Sequence, residues 1–282
     1  MQGTHQLYAV LGATGNCGLA LMQLLLAQKG VKINAYCRNQ AKLYRLLPEV
    51  ENNKRVDIYE GSIEDEELLA TCTRNCKAAF LVASTNDNVP GCHISQDLIL
   101  SIIGAFRRLK NAQDQLDNES SVALPKLCLL SSSTLDDHLS RYMGTFFRYI
   151  LSRSAFHVYE DLRLGEMILR QQEHWITAIY MKPGGISVDV QRGHELSLDQ
   201  DQTFISYLDV AAGMIEACDD PNGHWDLKNV SVRNVAGAHQ SEEFRAKRLE
   251  PPGDYIFELY HGEAHRQAHR SSTSGVRRDV YY

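Results

Sequence analysis

Three glycines spaced three apart, Gly12, Gly15 and Gly18, lie in the run Leu11-Gly12-Ala13-Thr14-Gly15-Asn16-Cys17-Gly18, between a short apolar stretch and an amphipathic one. A turn that cradles phosphates needs one glycine for the sharp bend and a second to let the backbone approach a diphosphate. A third lets the following helix pack close to the strand. The helix N-terminus then offers N–H groups and a partial positive charge. This reading puts Gly12, Thr14, Gly15, Asn16, Cys17 and Gly18 around a dinucleotide, with spacing Gly-x-x-Gly-x-x-Gly in place of the usual Gly-x-Gly-x-x-Gly. About 20 residues further on, an acid would bind the ribose hydroxyls of NAD. The chain has Cys37-Arg38-Asn39 there, with Lys42 one turn on. A guanidinium suits a 2′-phosphate through charge and paired donors, so Arg38 and Asn39 point to NADP(H). Ser62 in Gly61-Ser62-Ile63 would lie by the adenine, and Ser84 and Thr85 beside the ribose; both segments could equally be helix-capping turns. The catalytic candidates are Ser132 and Ser133, in the run Ser131–Thr134, with Tyr159 and Arg163 four residues apart on one helix. A tyrosine exchanges a proton with a substrate oxygen when a nearby cation lowers its pKa and a serine holds that oxygen. Tyr142, Tyr149 and His157 are rival donors, and Tyr159 could instead be a packing residue.

The elements that must position these residues alternate. Leu7–Leu11, Val31–Cys37, Arg55–Tyr59, Ala78–Ala83 and Leu127–Leu130 read as strands. Between them Cys17–Lys29, Ala41–Leu47, Glu64–Asn75 and Ser95–Lys110 read as helices. Such alternation predicts βαβ units and a parallel sheet, and nearly all-apolar strands predict a sheet covered on both faces. Past Ser131 come a helix over Ala155–Gln172, a strand over Trp175–Met181, a Pro183-Gly184-Gly185 turn, and a polar irregular run Gln191–Gln202. A helix over Leu208–Cys218 and a strand over Asp226–Val232 follow. The expected fold is α/β, a doubly wound parallel sheet (Rossmann fold) over 1–235 with a small irregular C-terminal substrate cap. Residues 236–282 read as a polar arm. The aromatics Tyr142, Phe146, Phe147, Tyr149, Phe156 and Tyr159 form either a wall for a planar substrate or a core helix pair.

Composition removes several classes. With 29 basic and 35 acidic residues the net charge is −6, so nothing favours nucleic acid or an anionic membrane as partner. The apolar stretches Leu19–Ala27 and Leu98–Phe106 fall far short of the roughly 20 residues that span a bilayer. Met1–Gln6 does not read as a secretory signal. Seven scattered cysteines, an odd number, suit reduced thiols in the cytoplasm. Cys72 with Cys76, and His261, His265 and His269 with Glu263, do not make convincing metal sites, so no metal is expected. An oligomer is compatible with all of this.

With these residues in hand, the chain resembles the short-chain dehydrogenase/reductase superfamily in its atypical, NmrA-like branch. The Gly12/Gly15/Gly18 turn, Cys37-Arg38-Asn39, Arg163-x-x-Glu166-x-x-Leu169, Met181-Lys182-Pro183-Gly184-Gly185 and Asp209-Val210-Ala211 fall in its order, from about Leu7 to Val232. More closely, Tyr8-Ala9-Val10-Leu11-Gly12-Ala13-Thr14-Gly15 and the overall length look like the averufin oxidase A family of fungi. The resemblance implies a Rossmann fold, cofactor contacts from Lys182, Pro183 and Gly184, and NADP(H)-dependent oxidoreduction. The substrate would be a carbonyl or hydroxyl of an aromatic polyketide-type intermediate in secondary metabolite biosynthesis. The superfamily pairs its tyrosine with a lysine four residues later, and Arg163 stands in that place here. NmrA-like proteins also include non-catalytic NADP(H) sensors, so a redox sensor is one alternative and a redox-neutral isomerase or dehydratase another.

Overall fold

A computed structural model describes residues 6–85, 87–114, 124–188, 190–202 and 204–235. Its first half alternates β1 (Gln6–Leu11), α1 (Asn16–Ala27), β2 (Val31–Cys37), α2 (Gln40–Leu46), β3 (Val56–Glu60), α3 (Glu66–Thr73), β4 (Ala78–Leu81), α4 (Ile94–Asp114) and β5 (Lys126–Leu130). The second half adds α5 (Thr145–Ser154), α6 (Phe156–Arg170), β6 (Ala178–Met181), β7 (Ile186–Ser187), β8 (His194–Ser197), β9 (Ile205–Ser206), α7 (Tyr207–Asp219) and β10 (Asn229–Asn234). The main sheet runs β3-β2-β1-β4-β5-β6-β10-β8. All its pairings are parallel except that of β8 with β10. Strand order reverses direction between β1 and β4, the switch point at which a crevice opens at the carboxyl ends of the strands. This is a doubly wound α/β fold.

Side chains of β1 alternate between two cores, as the pleat requires. Tyr8 and Val10 pack with Leu21, Met22 and Leu25 of α1 and Met214 of α7. Ala9 and Leu11 face the other way, into Leu69, Ile99, Ile102, Phe106 and Leu169 of α3, α4 and α6. Helices on both faces explain why the central strands β1, β4, β5 and β6 are nearly all apolar rather than alternating, whereas β3 at the edge carries Asp57 and Glu60.

Helix α6 is locked to α4 at two points. A Cβ on Gly165 would lie 2.7 Å from Ser95 Oγ and 2.8 Å from Ile99 Cδ1, so the crossing needs glycine. Asp161, buried, accepts from the backbone N–H of Ser95 (2.8 Å) and Gln96 (3.1 Å) and from Gln96 Nε2 (3.0 Å). It therefore caps the start of α4 from a neighbouring helix.

One expectation needs correction. The run Gln191–Gln202 is not wholly irregular: it contains β8, which among the described residues pairs only with β10 and can carry polar residues because it is an edge. The sheet is otherwise parallel, as expected. The aromatic segment before Ala155 holds a separate helix, α5, and β7 pairs with β9 in a small second sheet. The polar arm expected over 236–282 lies outside the described residues.

Candidate dinucleotide and substrate site

The glycine turn has two closed positions and one open one. Gly12 takes a left-handed φ of +111°, and a Cβ there would meet Ala83 N at 2.6 Å, where the chain leaves β4. On Gly18 a Cβ would meet Gly12 O at 2.1 Å, so the helix could not approach the turn. Gly15, the exposed N-cap residue of α1, is different, because the nearest atom to its Cβ would be Gly12 O at 3.5 Å. A Cβ there would make only ordinary van der Waals contacts with the described residues, with Val82 O next at 3.9 Å. The turn is anchored to β2, since Gly12 N and Ala13 N both donate to Tyr36 O at 3.1 Å. Thr14 and Asn16 are half-buried at the rim. The Cys17 side chain points away from it, with Sγ 3.8 Å from Met214 Sδ, and burial pushes its thiol up to about 12. Only the main chain of Cys17 is suited to a phosphate.

Because β1 to β6 are parallel, their carboxyl ends bring Arg38, Asn39, Ser62, Ser84, Thr85, the Ser131–Thr134 run and Lys182–Gly184 to one edge of the sheet. Arg38 is exposed and has no hydrogen-bond or ionic partner among the described residues. Several of its neighbours are occupied by turn-making. Asn39 Oδ1 accepts from Lys42 N at 2.7 Å, which caps α2. The Ser62 carbonyl accepts from Tyr36 Oη at 2.6 Å, and Thr85 Oγ1 accepts from Asp87 N at 3.0 Å. Ser84 is exposed, Pro183 is buried and Gly184 is half-buried.

The catalytic candidates do not assemble as the spacing suggested. Tyr159 is half-buried on α6. Arg163 faces solvent and is held by both Glu160 oxygens, at 2.6 and 2.8 Å, with the Met167 sulfur at 3.1 Å. A carboxylate three residues earlier outcompetes a neutral phenol for a guanidinium, so Arg163 is not the cation beside Tyr159. Ser133 is fully buried and donates to Asp201 Oδ2 at 2.5 Å, while Ser132 Oγ accepts from Thr134 N at 3.3 Å. Ser132, half-buried, is therefore the better placed of the two to meet a substrate oxygen.

Lys182, expected at the cofactor, is engaged within the protein. It is 2% exposed and pairs with Glu166 Oε2 at 2.8 Å, and Ser131 Oγ donates to Glu166 Oε1. Asp161 and Asp201 were missed by sequence reasoning, and Glu166 entered it only as part of the Arg163-x-x-Glu166-x-x-Leu169 motif, without a role. The available signal was that Asp161 and Glu166 share a helix face with Gly165 and Leu169, acids where an amphipathic pattern wants apolar residues. The aromatics are not a core helix pair: Tyr142, Phe146, Tyr149 and Phe156 are 71%, 76%, 62% and 49% exposed.

A sheet of this order with an open glycine turn at its switch point defines a dinucleotide-binding α/β protein. A family model described as NAD(P)H-binding matches residues 12–221, and the chain belongs to that family. It is 54% identical over 225 residues to the oxidoreductase dmxR7 of Cryptosporiopsis sp. (strain 8999), covering 80% of this chain and 92% of that protein. Against the oxidoreductase aflX of Aspergillus parasiticus it is 42% identical over 228 residues, 81% of this chain and 83% of the relative. Among solved structures, a short-chain dehydrogenase/reductase of Veillonella parvula in complex with NADP superposes with a TM-score of 0.63 at 18% identity. That match covers 83% of this chain and 96% of the other, and it shows a shared fold. The protein is an oxidoreductase with an NAD(P)-binding domain, as the short-chain dehydrogenase/reductase resemblance implied. No helix among the described residues is long and apolar enough to cross a membrane, and none of their acidic, histidine and cysteine side chains group as metal ligands.

Proposed function

We propose that this protein is a cytoplasmic NADP(H)-dependent oxidoreductase that acts on a carbonyl or hydroxyl of a planar aromatic, polyketide-type intermediate of secondary metabolism. The observation that carries the cofactor choice is Arg38, an exposed guanidinium at the carboxyl end of β2 without a partner among the described residues. A 2′-phosphate would satisfy it, and NAD would not. The residues at the first turn fit a dinucleotide, since the open space over Gly15 leaves the N-terminus of α1 accessible to a diphosphate. When bound, the nicotinamide supplies or accepts the hydride.

The chain's own residues do the rest. Main-chain groups of Thr14 to Gly18 bind the diphosphate and Arg38 the adenosine half. Ser132 orients the substrate oxygen, and Tyr159 gives it a proton in reduction or takes one in oxidation. The exposed rings of Tyr142, Phe146 and Tyr149 support an aromatic substrate, because stacking would remove them from water. Seven cysteines without a disulfide support a reducing compartment.

The test is calorimetric titration with NADPH and NADH, followed by loss of nicotinamide absorbance with a panel of anthraquinone-type ketones. Preference for NADPH and turnover that Tyr159→Phe abolishes are expected. One observation favours a sensor as the second reading: Arg163 is engaged by Glu160, which deprives Tyr159 of the cation that would activate it. Tight NADPH binding without turnover, unaffected by Tyr159→Phe, would establish that reading instead.

A further inference from the structure

The side chains of Lys182 and Glu166 are 3% and 8% exposed, the most enclosed ion pair among the described residues. Stability alone is a poor reason for it. Desolvating two charges costs several kcal/mol per ion, and apolar replacements of similar volume are often neutral or stabilising. What distinguishes this pair is what it joins. Glu166 is on α6, Lys182 is the first residue past β6, and Ser131, whose hydroxyl donates to the same carboxylate, is the first past β5. The two exits are also laced by backbone bonds, with Ser131 N donating to Met181 O (2.7 Å) and Ser133 N to Pro183 O (3.0 Å). Lys182 N donates to Val230 O at 2.6 Å. Of the other charged groups, Arg170 approaches Glu166 Oε2 at 3.8 Å, and Arg170 is itself balanced by Glu173 at 3.1 Å. The cluster is therefore neutral.

We infer that Glu166 and Lys182 are positioning residues: their pair fixes α6 against the exits of β5 and β6, and so holds Tyr159, two turns before Glu166, in register with Ser132. Lys182 then acts through protein groups and is not a ligand of the dinucleotide. The inference rests on the oxidoreductase reading for its consequence, but the local geometry can be tested without turnover.

Full-length Lys182→Met, Lys182→Arg, Glu166→Gln and the Glu166→Gln/Lys182→Met double variant would be compared with wild type. NADPH affinity would be read by calorimetry, amide exchange in the cofactor-free protein by mass spectrometry, and turnover with phenanthrenequinone as probe. In Lys182→Met, exchange over 131–135 and 183–186 should rise about 10-fold or more, with the remaining core unchanged. NADPH affinity should stay within about threefold, and kcat should fall by about 10-fold or more with little change in the KM for NADPH. Lys182→Arg should restore both exchange and kcat. If Lys182→Met does not fold, the double variant, with no buried charge left unpaired, should fold and show the same loss. Absence of turnover in wild type would defeat the oxidoreductase reading and leave the exchange measurement to decide the positioning role. The inference is overturned if Lys182→Met loses NADPH affinity by about 10-fold with exchange unchanged, because Lys182 would then be a cofactor ligand. It is overturned equally if exchange, affinity and kcat all stay at wild-type values.

Discussion

Gly15 and Gly18 are the same residue three positions apart, yet a methyl group added to each meets different surroundings. At Gly18 it would overlap Gly12 O at 2.1 Å, while at Gly15 the nearest atom is 3.5 Å away. Gly18→Ala should therefore cost about 1–3 kcal/mol in urea unfolding, as overpacking does. Gly15→Ala should cost about 1 kcal/mol or less, the loss of a glycine N-cap alone, because no atom overlaps the added methyl. Their effects on cofactor should reverse in character. Gly15→Ala should weaken NADPH by about 10-fold or more by calorimetry in a protein of nearly normal stability. Arg38 makes a separate prediction. Charge-assisted hydrogen bonds contribute about 1.5–3 kcal/mol, so Arg38→Ala should weaken NADPH by about 10- to 100-fold and leave NADH within about twofold. An equal loss for both nucleotides would detach Arg38 from the 2′-phosphate.

Elements in this molecule are held at their ends by side chains from elsewhere in the chain. Asn88, in the loop after β4, accepts from His157 N at 2.8 Å and donates to Ser154 O at 2.8 Å, so one amide bridges the end of α5 and the start of α6. Asp161 does the same for α4 with three bonds. Asp161→Ala removes a buried cap and leaves two backbone N–H groups near the α4 start without it, so urea unfolding should register a loss of about 2–4 kcal/mol. An unchanged midpoint would mean that water replaces the carboxylate at no cost. None of these long-range caps was legible in the sequence, because an acid in a helix does not disclose which neighbouring helix it serves. Strands β1, β4 and β5 were legible because burial on both faces forces apolar runs between glycine and polar turns, and β2 matches its expected bounds of Val31–Cys37. Strand β8 was not legible, because an edge strand paired on one side carries His194, Glu195 and Ser197 and reads as loop. The geometry of the glycine turn and the placement of Arg38 just past β2 were legible for the same reason that β1 was, namely that both follow from where the strands end. The partner Arg163 takes was not legible, because helical spacing brings side chains within reach but does not choose among them. Glu160 lay on the same face and carried the charge.

Across the whole molecule, burial keeps a set of acidic groups in their neutral form. The Cys17 and Cys76 thiols are both pushed up to about 12 by burial, a hydrogen bond from Asn34 partly opposing the shift at Cys76. The buried Cys128 thiol and the Tyr8 and Tyr36 phenols are raised as well, by desolvation first. An unfolded thiol titrates near about 8.5. Below that pH both states hold the proton and these groups contribute their full stability. Between there and the folded values the native state binds more protons than the unfolded one, so stability falls as pH rises. Each thiol inside that window removes about 1.4 kcal/mol per pH unit, and Cys17 and Cys76 act on opposite faces of the sheet. The urea midpoint should therefore be insensitive to these groups from pH 7 to 8 and then drop steeply between pH 9 and 10, by about 2–3 kcal/mol from these two thiols. Thiol labelling gives an independent check at neutral pH. Six of the seven cysteines are buried and only Cys92 is partly exposed, so a disulfide-exchange reagent should modify Cys92 rapidly in the native protein and the others only as it unfolds. A midpoint that stays flat through pH 10, together with fast labelling of Cys17 or Cys76, would show that the two faces of the sheet open far more readily than their packing requires.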